Sequence, residues 1–449
     1  MKDSCRHFPV ILVAMILLFA SLTASVSADA LIIEKIEVQG NLRTSAGRII
    51  AVSGLATGDP ATPETIHSAA HRLRSSSYFS EVEVYTRAGT APGRVVVVFS
   101  VSENRPHFRL GMGYEDLSGW YLIPLQLNLD NLTGHGEILN LSARVGWRLS
   151  GLVLTYQNIS LSDPRRFFEL QLKGESVDRL YFLEGTEISQ VVSQSGLGFH
   201  GEVPVADHLN LGGWFDVESF EPDSSAEVYR KNEMQDRREG DIVPFEDLPT
   251  GIQSEVGRRT LVSIGMSLGI DTRRGGGLRT RGLWGRTLGE YIFSEKDGFP
   301  AWHWDLRAYT PIGSRLQLSA RSLAGSVSSK APFYKRYYLG GLYTVRGYPS
   351  HSLSTPEGHL NFATLSLELR AAWIGAAVDP LLTGLVFCDL GTGWNDRWPD
   401  AGDISAGIGY GFRLRMPWIG RLGLDIGYPL NPSPVKESFH INASIGWTF

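Results

Sequence analysis

Residues 439–449, FHINASIGWTF, alternate without a break. Phe439, Ile441, Ala443, Ile445, Trp447 and Phe449 fall on one side, and His440, Asn442, Ser444, Gly446 and Thr448 on the other. Successive side chains of a strand point to opposite faces. A strict period of two with one apolar and one polar side therefore suits a strand set between hydrocarbon and a wet interior. Working back toward the N-terminus, the pattern recurs. Tyr121, Ile123, Leu125, Leu127 and Leu129 oppose Leu122, Pro124, Gln126, Asn128 and Asp130. Leu139, Leu141, Ala143, Val145 and Trp147 oppose Asn140, Ser142, Arg144 and Gly146. Ala406, Ile408, Tyr410, Phe412, Leu414 and Met416 oppose Gly407, Gly409, Gly411, Arg413 and Arg415. An arginine on the lipid face at mid-depth costs about 2–4 kcal/mol, so these arginines belong in a hydrated lumen.

From His107 onward the chain reads as 16 alternating segments of 9–14 residues, separated by Gly, Asp, Asn and Pro. This predicts a mainly β fold, a 16-stranded antiparallel transmembrane β-barrel over residues 104–449, the even number returning both ends to one side. After the first 30 residues no stretch of 18 apolar residues occurs, so any crossing of a membrane is by closed strands, which satisfy every backbone group within the sheet. The 50 glycines and 10% aromatic content suit such a barrel, and a net charge of −5 argues against a general nucleic-acid binder. A soluble β-sandwich would alternate too, but 16 strands is unusual for one and the aromatic end would have no reason.

Residues 1–30 carry Lys2 and Arg6, an apolar run Val10–Ala20 and then Ala28-Asp29-Ala30. This is the order of a secretory signal peptide, with cleavage after Ala28 or Ala30; its 11 apolar residues fall short of the roughly 20 that a helical span needs. Processing removes Cys5 and leaves Cys388 alone, so no intramolecular disulfide is expected.

Residues 31–103 have another texture. A strand over 31–39, a turn at Gly40-Asn41, a helix over 44–52 and a second over 63–76 are followed by strands over 80–87 and 93–103. The second helix carries Ile66, Ala69, Ala70 and Leu73 at helical spacing, and the last strand holds the run Val95–Phe99. The β-α-α-β-β order, with YFSEVEV and VVVVFSVSENRP in its last two strands, resembles a POTRA domain, the periplasmic module of polypeptide-transport proteins.

The connection between the eleventh and twelfth barrel segments holds GGLYTVRGYP, residues 340–349, a glycine-rich loop with Arg346 at its tip. A guanidinium that enters a lumen needs a carboxylate for its planar fork. Two candidates follow: Glu368, on one face with Ser366 and Arg370, and Asp389, on one face with Phe387 and Gly391. Both are expected to point inward. The connection from Glu221 to Glu255 carries ten acidic and four basic residues and reads as a solvated surface loop. Gly265-Met266-Ser267-Leu268-Gly269 matches G-x-S-x-G, but a nucleophile elbow needs a strand-to-helix turn, and Ser267 lies inside an alternating strand. The histidines form no metal-binding pattern. No catalytic, cofactor or metal residues are assigned, and no cofactor is expected.

These motifs together resemble the BamA/TamA-type outer-membrane insertase and translocase superfamily, also called the bacterial surface antigen family. Val345-Arg346-Gly347-Tyr348 matches its loop motif, and LDNLTGHGE, LSDPRRF, LGIDTRR and GIGYGFRLRMPWIGRLGLDIGYPL extend the likeness along the chain. The resemblance implies that Arg346 docks inside the barrel on Glu368 and Asp389. It also implies that Trp447 and Phe449 belong to a C-terminal assembly signal read by the barrel-assembly machinery. Residues 31–103 have room for one POTRA module, where better-known members carry two to five. The implied protein sits in the outer membrane with its POTRA-like domain in the periplasm. It acts without enzymatic chemistry on unfolded outer-membrane or secreted polypeptides, in contact with the lipid bilayer, by insertion or translocation. The alternative is a passive pore, in which Arg144, Arg148, Arg413 and Arg415 would favour anions. A third reading, a surface adhesin, would act through the acidic loop.

Overall fold

The computed structural model describes residues 31–75, 78–104, 107–115, 119–131, 133–134, 137–146, 148–159, 166–228, 242–295, 297–416, 420–432, 438–447 and 449. The signal peptide expected over residues 1–30, and Trp147 and Thr448 of the alternating segments, lie outside the described residues. The chain forms two compact units, the first ending at Asn104 and the second running from Arg105 to Phe449.

In the first unit β1 (Ile32–Gln39), α1 (Ala46–Ser53), α2 (Pro63–Ser75), β2 (Phe79–Ala88) and β3 (Arg94–Glu103) follow the order that the sequence predicts. The Ser45 hydroxyl accepts the Arg48 N–H to start α1, and Gly54 at φ 64° ends it. Strand β3 is central, parallel to β1 and antiparallel to β2. Val95–Phe99 are all buried, together with Ile49 and Val52 of α1 and Ala69 and Leu73 of α2; a central strand enclosed on both faces reads as an apolar run rather than an alternation. At its end Glu103 takes the backbone N–H groups of Arg43 (3.0 Å) and Thr44 (2.7 Å) and the Arg43 Nε (3.2 Å).

The second unit is one antiparallel sheet. β4 (His107–Glu115), β5 (Gly119–Asp130), β6 (Glu137–Gly146), β7 (Leu149–Ile159), β8 (Phe167–Leu183), β9 (Thr186–Ala206) and β10 (Leu209–Pro222) follow one another as a meander. A short hairpin, β11 (Ala226–Val228) and β12 (Ile242–Val243), a 3-10 turn and the one-turn helix α3 (Thr250–Gln253) lead to β13 (Arg259–Asp271). The meander resumes through β14 (Gly282–Ser294), β15 (Phe299–Ile312), β16 (Leu316–Val327), β17 (Asn361–Ala376), β18 (Asp379–Trp394), β19 (Ser405–Met416), β20 (Gly420–Pro429) and β21 (His440–Ile445).

Burial in this sheet is turned inside out relative to a water-soluble protein. On β17, Leu365, Leu367 and Leu369 are 41, 42 and 39% exposed, while Ser366, Glu368 and Arg370 between them are 8, 0 and 2% exposed. Lipid is the solvent that such an outer face needs. The strand order is cyclic, with β21 next to β4. β21, with six residues, is the shortest of the long strands, the others having nine or more.

Three expectations are corrected. First, Leu122 does not join the lumen side of its strand. The register of β5 slips between Leu122 and Leu125, and Leu122 stands opposite Val145, both more than half exposed; a bulge resets the period. Second, the terminal alternation is not one strand. β21 stops at Ile445, Gly446 turns at φ 92° and donates its N–H to the Arg421 carbonyl (2.7 Å), and Phe449 ends up 7% exposed. Third, the described parts of the acidic connection are packed. Ala226, Leu248 and Ile252 are buried in one apolar cluster with Tyr181, Phe220, Leu261 and Tyr334. Residues 229–241 of that connection lie outside the described residues.

Candidate functional site

The connection between β16 and β17 folds back into the barrel, and the motif at its tip is fully enclosed: Val345, Arg346 and Tyr348 are 0, 1 and 0% exposed. Two glycines make the approach possible. Gly347 holds φ 144°, and a Cβ there would lie 2.9 Å from the Tyr428 carbonyl carbon. Opposite, a Cβ on Gly427 of β20 would lie 2.3 Å from the Arg346 carbonyl oxygen. Backbone therefore meets backbone at a distance that only glycine permits. The Tyr348 hydroxyl lies within hydrogen-bond distance of the carbonyls of Ala406 (3.2 Å) and Asn431 (3.3 Å) and accepts the Asn431 N–H (3.3 Å).

Arg346 spends its whole donor set on the barrel wall. Its backbone N–H and Nε reach Asp389 Oδ2 at 3.0 and 2.7 Å, and Nη2 reaches Asp389 Oδ1 at 2.8 Å and Ser366 Oγ at 3.0 Å. Nη1 reaches Glu368 Oε1 at 2.5 Å and Asp425 Oδ2 at 3.3 Å, and the guanidinium lies 3.7 Å from the centre of the Phe387 ring. Ser366 in turn donates to Asp389. Asp425 also takes both Nη atoms of Arg413, at 2.6 and 2.8 Å, and Glu368 Oε2 takes the Arg370 Nε at 2.7 Å. Three guanidinium groups thus face three carboxylates. A buried ion pair holds only where charge and hydrogen bonds are both matched, and here each carboxylate has two or more donors.

Glu368 and Asp389 stand where the sequence places them, on inward positions of β17 and β18 beside the loop arginine. Asp425 and the pairing of Arg413 with it were not anticipated. The signal was present, because Asp425 lies between Gly423 and Gly427 on the polar side of GRLGLDIGYP. The same connection is also tied to the opposite wall. Lys335 Nζ bonds Glu218 (2.7 Å), Arg179 donates to the Tyr334 carbonyl (2.9 Å), and His351 Nδ1 lies 2.6 Å from the Leu180 carbonyl. Ser267 sits in mid-strand with its hydroxyl bonded by Arg286 (2.9 Å), far from the elbow geometry of a nucleophile. Of the arginines expected to favour anions, Arg144 pairs with Glu175 (3.1 Å), Arg413 with Asp425 and Arg415 with Asp379 (2.6 Å).

Family comparisons agree with this geometry. The model of the Omp85 superfamily domain matches residues 131–449. The chain belongs to the Omp85 superfamily. The family model described as the surface antigen variable number repeat, POTRA, matches residues 31–104. This Omp85 chain, of the BamA/TamA type, is 22% identical over 427 residues to the outer membrane protein assembly factor BamA of Nitratidesulfovibrio vulgaris. The match covers 89% of this chain and 48% of that protein, so the chain spans about half the length of its curated relative. Among solved structures, BamA from Haemophilus ducreyi lacking POTRA domains 1–3 superimposes with a TM-score of 0.67 at 18% identity, covering 92% of this chain and 84% of that one. CdiB from Acinetobacter baumannii does so with a TM-score of 0.54 at 15% identity, covering 93% and 74%. The protein lies in the outer membrane with its POTRA domain in the periplasm. Because β4 follows that domain directly, strands begin there on the periplasmic side, and the connection carrying Arg346 returns from the extracellular side.

Proposed function

We propose that this Omp85 protein assembles outer-membrane proteins or translocates polypeptides, by a non-enzymatic route. The observation that carries the reading is the seam. β21 has six residues where every other long barrel strand has nine or more, so its junction with β4 closes the barrel over the shortest strand, and the edge bared when such a junction parts is a template for an incoming strand. The POTRA sheet supplies two further edges, β1 and β2, at which unfolded chains are captured in the periplasm. The docked loop stiffens the wall formed by β17–β20, so that movement is confined to the seam. Trp447 and Phe449 act as a signal for the barrel-assembly machinery during the protein's own insertion and fold inward afterwards. The passive-pore reading is weakened by the loop that crosses the lumen and by the pairing of the inward arginines.

The test is reconstitution of the mature chain in liposomes, with and without residues 31–104, measuring protease protection of an unfolded β-barrel substrate and ion conductance. Acceleration that depends on residues 31–104 supports the assembly reading. Steady conductance without acceleration would overturn it in favour of a pore.

A further inference from the structure

The turn between β13 and β14 is periplasmic by strand parity, yet it does not project away from the barrel. Gln317, a lumen-facing residue of β16 that is 1% exposed, donates to the carbonyls of Gly277 (3.3 Å) and Thr280 (2.9 Å). The Leu278 N–H bonds the Ala377 carbonyl (2.8 Å) at the β17–β18 turn. The turn therefore lies across the mouth of the lumen, and Leu278, 1% exposed, packs with Ala372, Ala377 and Trp447. The sequence LGIDTRR leading into this turn has no part in the loop docking described above.

The other side of Trp447 is held by charge. Arg370 donates from Nη2 to the Phe449 carbonyl (3.0 Å), and its guanidinium carbon lies 4.7 Å from the Trp447 ring centre and 4.8 Å from that of Phe449. Arg370 is 2% exposed, so these cation–π contacts are made away from water, where they are strongest. Its remaining partner is Glu368, the same carboxylate that binds Arg346. Arg421 completes the grip through the Gly446 N–H and the Trp447 ring (5.1 Å).

We propose that Arg370 is a positioning residue which, with Leu278 of the β13–β14 turn, holds Gly446, Trp447 and Phe449 inside the lumen and thereby keeps β21 from extending along β4. The role follows from geometry. If residues 446–449 continued the strand, the period of two would carry Trp447 to the lipid side with Ile441 and Ile445, and the added backbone would be available to β4. Turning at Gly446 gives up that pairing, and the Arg370 and Leu278 contacts are what offset the loss. Glu368 makes the last strand and the docked loop share one anchor, a contiguous physical link rather than mere proximity. The purpose of the device rests on the assembly reading; its existence does not.

The test uses the full mature chain with Cys388→Ser and an environment-sensitive bimane on Arg279→Cys, an exposed position next to Leu278. Trp447→Phe defines the share of bimane quenching due to Trp447. Arg370→Gln is expected to relieve at least half of that share, and Arg370→Lys to preserve most of it. Unchanged quenching in Arg370→Gln, or a lysine variant that behaves like the glutamine one, would overturn the proposal. Folding is checked by heat-modified gel migration, and Arg370→Met, which keeps the bulk, is read in the same way if Arg370→Gln does not fold. No substrate enters this measurement, so a failure of the insertion assay would count against the assembly reading alone.

Discussion

Asp389 and Arg346, 43 residues apart, are joined three times over: by the loop backbone N–H at 3.0 Å, by Nε at 2.7 Å and by Nη2 at 2.8 Å. One carboxylate reads both the side chain and the main chain of the loop tip. Deleting it leaves a buried guanidinium and an unpaired amide. Asp389→Ala is expected to destabilise the folded barrel by about 3–5 kcal/mol, the usual cost of breaking one side of a buried pair. The exposed pair Lys330–Asp297 (53 and 60% exposed) should cost under about 1 kcal/mol when Lys330 becomes Ala. Urea unfolding in detergent compares the two, and equal losses would contradict the buried-lock account.

Gly427→Ala removes no contact but places a methyl 2.3 Å from the Arg346 carbonyl oxygen. The loop must then lift from β20. Limited proteolysis from the extracellular side should cut within residues 340–349 in Gly427→Ala at least ten-fold faster than in the native protein. Gly289→Ala, where the added methyl meets nothing within 4 Å, should leave the cleavage rate unchanged.

Ion flow is the third check. With Arg346 docked on one wall and Lys335 on Glu218 of the other, the native barrel should pass little current in planar bilayers. Replacing residues 340–349 with a short Gly-Ser linker should raise single-channel conductance several-fold. A native conductance as large as that of the variant would mean that the loop does not obstruct the lumen.

The POTRA unit should respond to pH through Glu103. Burial opposes ionisation of this carboxyl, but the N–H groups of Thr44 and Arg43 and the Arg43 side chain outweigh it and hold Glu103 below the usual carboxylate range. A carboxylate held lower in the folded state stabilises that state above the ordinary carboxylate range and ceases to do so as pH falls through the lowered value. Protection factors over residues 31–104, exchange rates divided into their intrinsic values at each pH, should therefore fall below about pH 4. Glu103→Gln should lower these protection factors at pH 7 and flatten their fall toward acid.

How much of this was legible in the sequence follows from which patterns a strand can carry. Glu368 and Asp389 were found because an acid on the polar side of a lumen strand has one place to go. Asp425 obeys the same rule but was masked by its glycine-rich surroundings. The inward turn of Trp447 and Phe449 was read wrongly, since a period of two persists on paper through Gly446 even though its φ of 92° has already left the strand. The burial of Ala226, Leu248 and Ile252 was invisible because their partners, Tyr181 and Phe220 among them, come from separate strands and share no local period with them.

The matched count of guanidinium and carboxylate groups around Arg346 also bears on ionic strength. Mobile ions screen exposed charges over about 8 Å at physiological salt and reach buried ones far less. With Arg346, Arg370 and Arg413 set against Glu368, Asp389 and Asp425, all 2% exposed or less, the loop's seat carries no net charge for dissolved ions to neutralise. A bacterium moved between dilute and saline surroundings would then keep the loop seated, while rim pairs such as Arg415–Asp379, with both side chains about half exposed, weaken and strengthen with the medium.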